Sequence, residues 1–509
     1  MKFFDTLTSI VTFINDNILW GIPMVLIILG AGIFMTIRTR ALQVRKFKAS
    51  VSSTIVPTVK SIFKKQKPTH KKGEKSISQF EAFSAAISGT VGTGNIVGVA
   101  GAMISGGPGA VFWMWVSAFF GMVTNYSENV LGLYFRKKDA DGNFSGGPMH
   151  YIEKGLGWKP LAKFFAICCT LAAVGMSMVQ VNSISGTVQN VAPGNDNVVA
   201  WIVGITVSII TALIVLGGIQ RIGKVASTIV PFMALFFIIF AIVVIFMNVT
   251  IVPAAFALII KSAFSLKAFA GGLFGHMIMV AMRYGFARGI FSNEAGLGSS
   301  VIAHSASDTR EPVMQGLWGV FEVFLDTFVI CTLTALSILT TCLSTGKYDL
   351  TDIANNGDIT KAALSSFAFT ENLGIFGTVS YSIILPLFAF TTIIAWSYYG
   401  KKSAEYVFSK SPKTAGTVFS VIFVLLIVVG AITASDFVWS LDDMFNALMA
   451  IPNLIGVVGL SGTVIKITKN YFDRKKGLDI EPMLSYSPEL NAEFKADIMG
   501  DEEPSDSEQ

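Results

Sequence analysis

The chain has little charge. Only 14% of its 509 residues are Asp, Glu, Lys or Arg, whereas 52% are hydrophobic. An ordinary soluble protein of this length carries more charged surface, so the composition excludes that class. The apolar residues gather in runs of about 20, the length of a helix that crosses a bilayer. We therefore predict an all-α integral membrane protein.

Cysteine and histidine are also scarce, with four of each. The cysteines fall in or beside apolar runs and form neither a disulfide framework nor a metal-binding spacing. The Gly92-x-Gly94 pair resembles a nucleotide-binding loop, but no strand precedes it. No nucleophile–base pattern stands out either. The sequence therefore favours no enzyme and no metal centre built from Cys or His.

Eleven apolar runs are long enough to be transmembrane helices. The chain begins without the features of a cleaved signal peptide, so the first run is expected to be a retained helix. The runs lie at approximately 17–37, 78–104, 108–135, 163–190, 198–217, 226–248, 269–303, 312–342, 373–400, 414–434 and 438–466.

The distribution of positive charge predicts the orientation. Of the 38 Lys and Arg residues, 31 fall on one set of alternate connections and the C-terminal tail, and 5 fall on the other set. Arg283 and Arg288 lie inside a run. Because positive residues are retained on the cytoplasmic side, we expect the N-terminus outside and the C-terminus in the cytoplasm of a cell-membrane protein.

The segments between and after the runs have distinct compositions. Residues 38–75 are basic, and we expect a solvated loop there, with a lipid-binding surface as the alternative. Residues 343–372 are expected to form a cap or short helix over a vestibule. The tail after Lys476 is acidic and poor in large apolar residues, which predicts disorder. The predicted divisions are 1–77 (N-terminal helix and basic connector), 78–268 and 269–466 (five helices each), and 467–509 (cytoplasmic acidic tail).

Two of the runs contain interruptions that a continuous helix tolerates poorly. Residues 88–95 (SGTVGTGN) and 292–298 (SNEAGLG) combine glycines with Ser, Thr, Asn and Glu. Each opens a set of five helices. Because an odd number of helices inverts the second set, paired interruptions are typical of an inverted-repeat transporter. Close helix packing explains the glycines alone but not the polar side chains beside them.

A broken helix offers backbone groups to a ligand. The N–H groups at 92–95, including those of Thr93, Gly94 and Asn95, suit a carboxylate. The carbonyls of Ser88 and Val91 face the other way and suit a hard cation such as Na⁺, which prefers oxygen ligands.

Later spans add candidate side chains. Gln180 and Asn182 would either contact the substrate or link helices, because amides do both. Thr391 and Thr392 could complete the ion site, and Trp396 lies on the same helix face as Thr392 and would wall a small pocket.

Ionisable residues also occur at apparent membrane depth. Glu294 lies within the second interruption, and either an ion pair with Arg283 or Arg288 or a contact with substrate would explain it. Three further carboxylates are interpreted as structural partners of neighbouring helices. These are Glu128, Glu322 and Asp326.

Four motifs resemble the sodium:alanine symporter family, the alanine or glycine:cation symporters. They are 106–121 (GGPGAVFWMWVSAFFG), 89–96 (GTVGTGNI), 146–149 (GGPM) and 288–296 (RGIFSNEAG). The resemblance spans about residues 78–466. It implies a LeuT-type 5+5 inverted repeat with one extra N-terminal helix, and Na⁺-driven uptake of alanine or glycine.

The resemblance also implies roles for individual residues. Substrate contacts would come from Thr93, Gly94, Gln180, Asn293 and Trp396. Ion ligands would come from Ser88, Val91, Thr391 and Thr392. Proton coupling through Glu294 is the main alternative, and a channel is another, although single scattered polar residues do not form a continuous polar lining. No protein or nucleic-acid partner is expected beyond the lipid bilayer.

Overall fold

The computed structural model describes residues 2–63, 76–139, 142–192, 194–264, 276–352, 360–433 and 435–500. The fold over these residues is helical, apart from a hairpin of two short strands, Lys137–Lys138 and Phe144–Ser145. The helices are α1 (Lys2–Ile14), α2 (Ile22–Arg38), α3 (Leu42–Arg45), α4 (Phe47–Phe63), α5 (Gln79–Thr90), α6 (Val97–Gly106), α7 (Gly109–Tyr134), α8 (Pro148–Leu156), α9 (Lys159–Gln189), α10 (Asp196–Val215), α11 (Gly218–Met247), α12 (Val252–Ala263), α13 (His276–Asn293), α14 (Val301–His304), α15 (Pro312–Val323), α16 (Thr332–Thr345), α17 (Lys361–Val407), α18 (Pro412–Ile432), α19 (Ser435–Gly459), α20 (Ser461–Arg474) and α21 (Pro488–Gly500).

Local sequence signals explain where several helices begin. At the start of α5, Ser78 Oγ accepts the Glu81 N–H at 3.2 Å and the Glu81 carboxylate accepts the Ser78 N–H at 2.8 Å. This reciprocal pair is a capping box. Proline occupies the first turn of α2, α8, α9, α12, α15 and α18. Its missing N–H costs nothing there, because that position has no partner within the helix.

Several helices have the length and composition of membrane spans. Among the described residues, seven are long and apolar enough to cross a bilayer, and the bent pair Thr6–Leu19 and Ile22–Arg38 makes an eighth. Two other predicted runs are each divided by a break, so their separate pieces are short. The run at 269–303 also begins outside the described residues. The protein is therefore a multi-pass membrane protein, and the count of eleven stays a prediction.

The packing places the short broken helices inside and the continuous apolar helices α10, α11 and α18 towards the outside. α9 packs along α17 and α19, and α7 packs along α13 and α15. In the most apolar 18-residue stretch of α10, α11 and α18, only 39%, 39% and 33% of the positions are buried. Their exposed residues include Ile205, Ile209, Leu235, Ile239 and Leu425. Such large apolar surfaces suit lipid rather than water.

Two expectations about the connections are wrong. The basic segment 38–75 is not simply a loop, because α4 packs on α15 and Ser50 Oγ donates to the Leu317 carbonyl at 2.6 Å. The tail is not disordered over residues 477–500, because α21 buries Phe494 against Phe144 with ring centroids 5.8 Å apart. Apolar residues spaced along an acidic segment are sufficient to dock it. Residues 64–75 and 501–509 lie outside the described residues.

The predicted cap over a vestibule is partly described. Residues 353–359 lie outside the described residues, and α17 begins directly afterwards at Lys361. The helix bends at Gly374, which has φ 57° and ψ −135°, a conformation that favours glycine. The part before the bend is thus a short helix at one end of the bundle, as expected for residues 361–372. The first predicted span, 17–37, is preceded by a further helix, α1.

The packing of Gly109 gives a test of the fold. A Cβ atom there would overlap the backbone of Ser262 and Ala263 at the end of α12. Backbone cannot swing aside as a side chain can, so Gly109→Ala is expected to destabilise the protein by about 1–3 kcal/mol. Thermal unfolding of the purified protein in detergent measures this. Gly30→Ala is the control, since among the described residues no atom beyond its neighbours and its own helix backbone lies within 4 Å of its Cβ position. Equal melting temperatures for the two variants would contradict this packing.

Candidate functional site: two facing helix breaks

The first predicted interruption is present. α5 ends at Thr90, the backbone is extended at Gly92 (φ −133°, ψ −153°), and a 3₁₀ turn follows over Thr93–Asn95 before α6. The Gly92 N–H donates to Asn95 Oδ1 at 2.9 Å. A side chain thus replaces the helical acceptor that the break removes, which is the condition for irregular backbone at membrane depth.

The second interruption is present as well. α13 ends at Asn293, and Glu294 then adopts a left-handed conformation with φ 54°. A non-glycine residue rarely takes this conformation, and such residues concentrate at functional sites. Asn293 Oδ1 accepts the Ala295 N–H at 3.0 Å, and Glu128 Oε1 accepts the Gly296 N–H at 3.0 Å. Side chains therefore satisfy this break too.

The two breaks lie against each other. A Cβ atom on Gly94 would be 3.0 Å from the Phe291 ring and 3.5 Å from Ser292 Cα. A Cβ atom on Gly89 would be 3.3 Å from Glu294 Oε1. The glycines of the first break thus permit the close approach of the second. All the predicted site residues are buried.

Gln180 reaches the first break from α9. Its Oε1 accepts the Thr93 N–H at 3.2 Å. The Thr93 hydroxyl beside it is buried and has no hydrogen-bond partner among the described residues. Asn182 instead donates to the carbonyls of Gly430 and Thr433, at 3.3 and 2.7 Å, and so links helices. The sequence alone did not decide whether these two amides contact substrate or link helices. The structure gives them different partners, the first break for Gln180 and α18 with the residue after it for Asn182.

The predicted ion ligands are only partly brought together. Thr392 Oγ1 donates to the Ser88 carbonyl at 3.0 Å. A Cβ atom on Gly92 would overlap the same Thr392 hydroxyl, so this side chain lies directly against the break. The neighbouring Thr391 Oγ1 donates to Phe388 O at 3.0 Å within α17 and lies 3.5 Å from Met233 Sδ. Val91 caps the C-terminus of α5. Of the two threonines, Thr392 is the one hydrogen-bonded to the break in the described structure.

Trp396 and Glu294 connect α17 to the second break. The Trp396 indole N–H donates to Glu294 Oε1 at 2.9 Å, and Ser299 Oγ donates to the other carboxylate oxygen. Arg288 does not pair with Glu294. It makes a bidentate ion pair with Asp443 of α19, with N–O distances of 2.9 and 2.6 Å. The suggestion of a local ion pair between Arg288 and Glu294 is therefore wrong.

Asp326 is the site residue that the sequence reasoning missed. It lies in a π-helical turn, Phe324–Cys331, a form of helix that often marks functional sites. Its carboxylate accepts hydrogen bonds from Asn95 Nδ2 at 2.5 Å and from Ser292 Oγ at 2.9 Å. Asn95 belongs to the first break and Ser292 to the second, so Asp326 contacts both. An aspartate within an apolar span was the available signal. Glu322 bonds to His304, whereas Glu128 accepts from Asn453 as well as from the Gly296 N–H of the second break.

A cavity of about 360 Å³ lies at one end of the breaks. It is lined in part by Arg288, Asp443, Trp439 and Lys361. Phe291 stacks on Trp439 with ring centroids 5.1 Å apart, and Phe291 also contacts the Gly94 position. The aromatic pair therefore stands between this cavity and the first break, and the Arg288–Asp443 ion pair lines the cavity.

Comparisons with known proteins find relatives over nearly the whole chain. The model of the sodium:alanine symporter family matches residues 4–484. The sodium/alanine symporter AgcS of Methanococcus maripaludis is 40% identical over 474 residues, covering 92% of this chain and 98% of AgcS. The probable sodium/glutamine symporter GlnT of Bacillus subtilis is 36% identical over 464 residues, covering 91% of this chain and 90% of GlnT.

A solved structure shares the fold. The crystal structure of MhsT in complex with L-phenylalanine matches with a TM-score of 0.50 and 16% sequence identity, covering 77% of this chain and 98% of MhsT. The LeuT-like arrangement expected from the sequence is consistent with this neighbour. With a family match over nearly the whole length and the two helix breaks in place, the chain belongs to the sodium:alanine symporter family.

Proposed function

We propose that this protein is a secondary active transporter that imports a small neutral amino acid, alanine or glycine, together with Na⁺. The observation that carries the proposal is the pair of facing helix breaks, buried in the bundle and flanked by the Thr93 hydroxyl, which has no hydrogen-bond partner among the described residues. Family membership supports amino-acid transport. The geometry supports a site for a zwitterion and a cation.

The helix ends at the breaks have complementary charge. The N-terminal end of α6 carries partial positive charge and suits the substrate carboxylate. We assign the carboxylate to the Gly94 N–H and to the Thr93 hydroxyl, which has no partner among the described residues. The N–H groups of Thr93 and Asn95 already donate to Gln180 Oε1 and to the Gly92 carbonyl, and would join only by exchanging these partners. Gln180, already bonded to the Thr93 N–H, would hold that turn in place.

The opposite end of the substrate meets the second break. The C-terminal end of α13 at Asn293 carries partial negative charge and suits an ammonium group. Asn293 and Trp396 are assigned to this part of the site, although the Trp396 N–H is already bonded to Glu294. We therefore assign Trp396 a packing role and the fixing of Glu294, rather than a direct hydrogen bond to substrate.

The packing around Gly94 supports a small substrate. A Cβ atom on Gly94 would be 3.0 Å from the Phe291 ring, which is backed by Trp439. A long side chain would have to displace this aromatic pair. GlnT is named for glutamine, so family membership alone leaves the size of the substrate open, and the local packing carries this part of the proposal.

The Na⁺ ion is assigned to the C-terminal end of α5. The Ser88 carbonyl and the Thr392 hydroxyl are oxygen donors 3.0 Å apart, which suits a hard cation. The Val91 carbonyl and Thr391 would add ligands, the latter after a change of rotamer. Sodium leaves this site with the substrate in each cycle. Each occupant then favours closure by binding one state better than another.

Orientation and symmetry complete the proposal. The halves 78–268 and 269–466 would be inverted repeats, within eleven spans of a cell-membrane protein whose N-terminus is outside. The Arg288–Asp443 end would then face outward. Alternating opening at the two ends would deliver substrate to the cytoplasm.

Transport by the purified protein in proteoliposomes tests the function. We expect saturable uptake of radiolabelled alanine that requires an inward Na⁺ gradient and is inhibited by excess glycine. Liposomes without protein are the control. Uptake that follows a pH gradient in the absence of Na⁺ would indicate proton coupling instead of sodium coupling. Glu294 would then be the first carboxylate to examine. Flux that does not saturate would indicate a channel instead.

Two substitutions test the assigned substrate contacts. Thr93→Val and Asn293→Ala are each expected to lower uptake by roughly tenfold or more, since a hydrogen bond to a charged group is worth about 1.5–3 kcal/mol. Size-exclusion profiles should remain those of folded protein. Thr340→Val is the matched control, because the Thr340 hydroxyl bonds within its own helix, to Leu336 O at 2.7 Å. Unchanged uptake in both test variants would remove these residues from the site.

A further inference from the structure

The chain segments at the far ends of the two breaks are joined. The loop 305–311, which follows α14, lies beside Ile77, which precedes α5. The Ile77 N–H donates to Ala306 O at 3.3 Å, and the Asp308 N–H donates to Ile77 O at 2.7 Å. These bonds form a parallel β-bridge between Ile77 and Ser307. Movement of this loop would therefore loosen both broken helices at the same end.

Arg136, just after α7, holds the same loop. Its guanidinium donates to the carbonyls of Ser305, Ser307 and Thr309, at 3.3, 2.7 and 2.6 Å. The side chain is buried at 1% exposure. One cation thus fixes three carbonyls of a single loop, and a loop without regular secondary structure needs such partners when it is buried.

The C-terminal segment covers Arg136. The Arg136 guanidinium lies 3.9 Å from the centroid of the Phe144 ring and 5.2 Å from that of Phe494 on α21. Arg310, at the end of the loop, pairs with Asp497 at 2.9 Å and lies 4.8 Å from the Phe494 ring centroid. α21 is therefore attached to the loop itself and to the arginine that fixes it.

A second ion pair ties α21 to the strand hairpin. Lys138 Nζ lies 2.6 Å from Glu493 Oε1, and both side chains are partly exposed. Exposed ion pairs of this kind are individually weak. The attachment combines a small aromatic cluster with a few polar contacts, which suits a contact that is made and released repeatedly.

We propose that residues 484–498, which we name the tail clamp, hold the cytoplasmic end of the site closed by bracing Arg136 and the loop 305–311. Arg136 acts as a positioning residue. Release of the tail clamp would free the loop, α14 and the start of α5, and so permit inward opening. The assignment of this end as cytoplasmic and as an exit rests on the proposed function. The contacts themselves do not depend on which substrate is carried.

Hydrogen–deuterium exchange of the full-length protein in lipid nanodiscs tests the tail clamp. Asp497→Asn removes the ion pair with Arg310 while keeping the shape of the side chain. We expect amide exchange over residues 301–311, including Asp308, to accelerate by about fivefold, as for loss of a modest stabilising contact. Peptides from α10 should be unchanged. Glu489→Gln is the control, because it removes the same charge from an exposed position of α21.

A charge reversal gives an independent measurement. Glu493→Lys places two lysines together and is expected to accelerate exchange of the same loop. Adding Lys138→Glu to that variant should restore slow exchange. Unchanged loop exchange in both Asp497→Asn and Glu493→Lys would overturn the proposal, as would equal acceleration by Glu489→Gln. Since exchange is measured without substrate, failure to transport alanine would refute the proposed function and leave this result standing.

Discussion

The structure depends on satisfying main-chain hydrogen bonds where helices stop inside a membrane. Lipid offers no partner, so each break requires groups from the protein or a ligand. Asn95 accepts from Gly92, Asn293 accepts from Ala295, and Glu128 accepts from Gly296. The polar residues in these apolar spans therefore have a structural role first. Among the described residues they leave the Thr93 hydroxyl without a partner, and this is the group that we propose for the substrate.

Buried carboxylates follow from the same constraint. Asp326 accepts from the Ser292 hydroxyl, and Glu294 accepts from the Trp396 indole, so both carboxylates have neutral donors. The Arg288 guanidinium, in contrast, pairs with Asp443 beside the cavity at the end of the breaks. A carboxylate bonded to side chains from both breaks couples the positions of the two broken helices. The centre is thus held by amide and hydroxyl donors that can exchange partners, and the ion pairs lie towards the ends. Such a division suits the alternating opening that we propose for this site.

The two breaks were predictable from sequence because clustered glycines and polar residues disfavour a continuous helix within an apolar run. The partners across the bundle were harder to predict. Gln180 and Asn182 are two residues apart and both carry amides, yet one reaches Thr93 and the other α18. The sequence favours a scaffold role for Asp326, although its carboxylate bonds to both breaks. The docking of the tail was not predicted, because a few apolar residues such as Phe494 outweigh an acidic composition.

The sequence by itself determined the membrane environment, the positions of the two interruptions and the family. These are local or compositional properties, since hydropathy, helix propensity and motifs are carried by residues close together in the chain. The tertiary structure decided which side chain faces which break, that Arg288 pairs with Asp443 rather than Glu294, and that α21 lies on the loop 305–311. The reason is geometric. The last two contacts join residues more than 150 positions apart, and all of these partners follow from helix rotation and packing that no local pattern specifies.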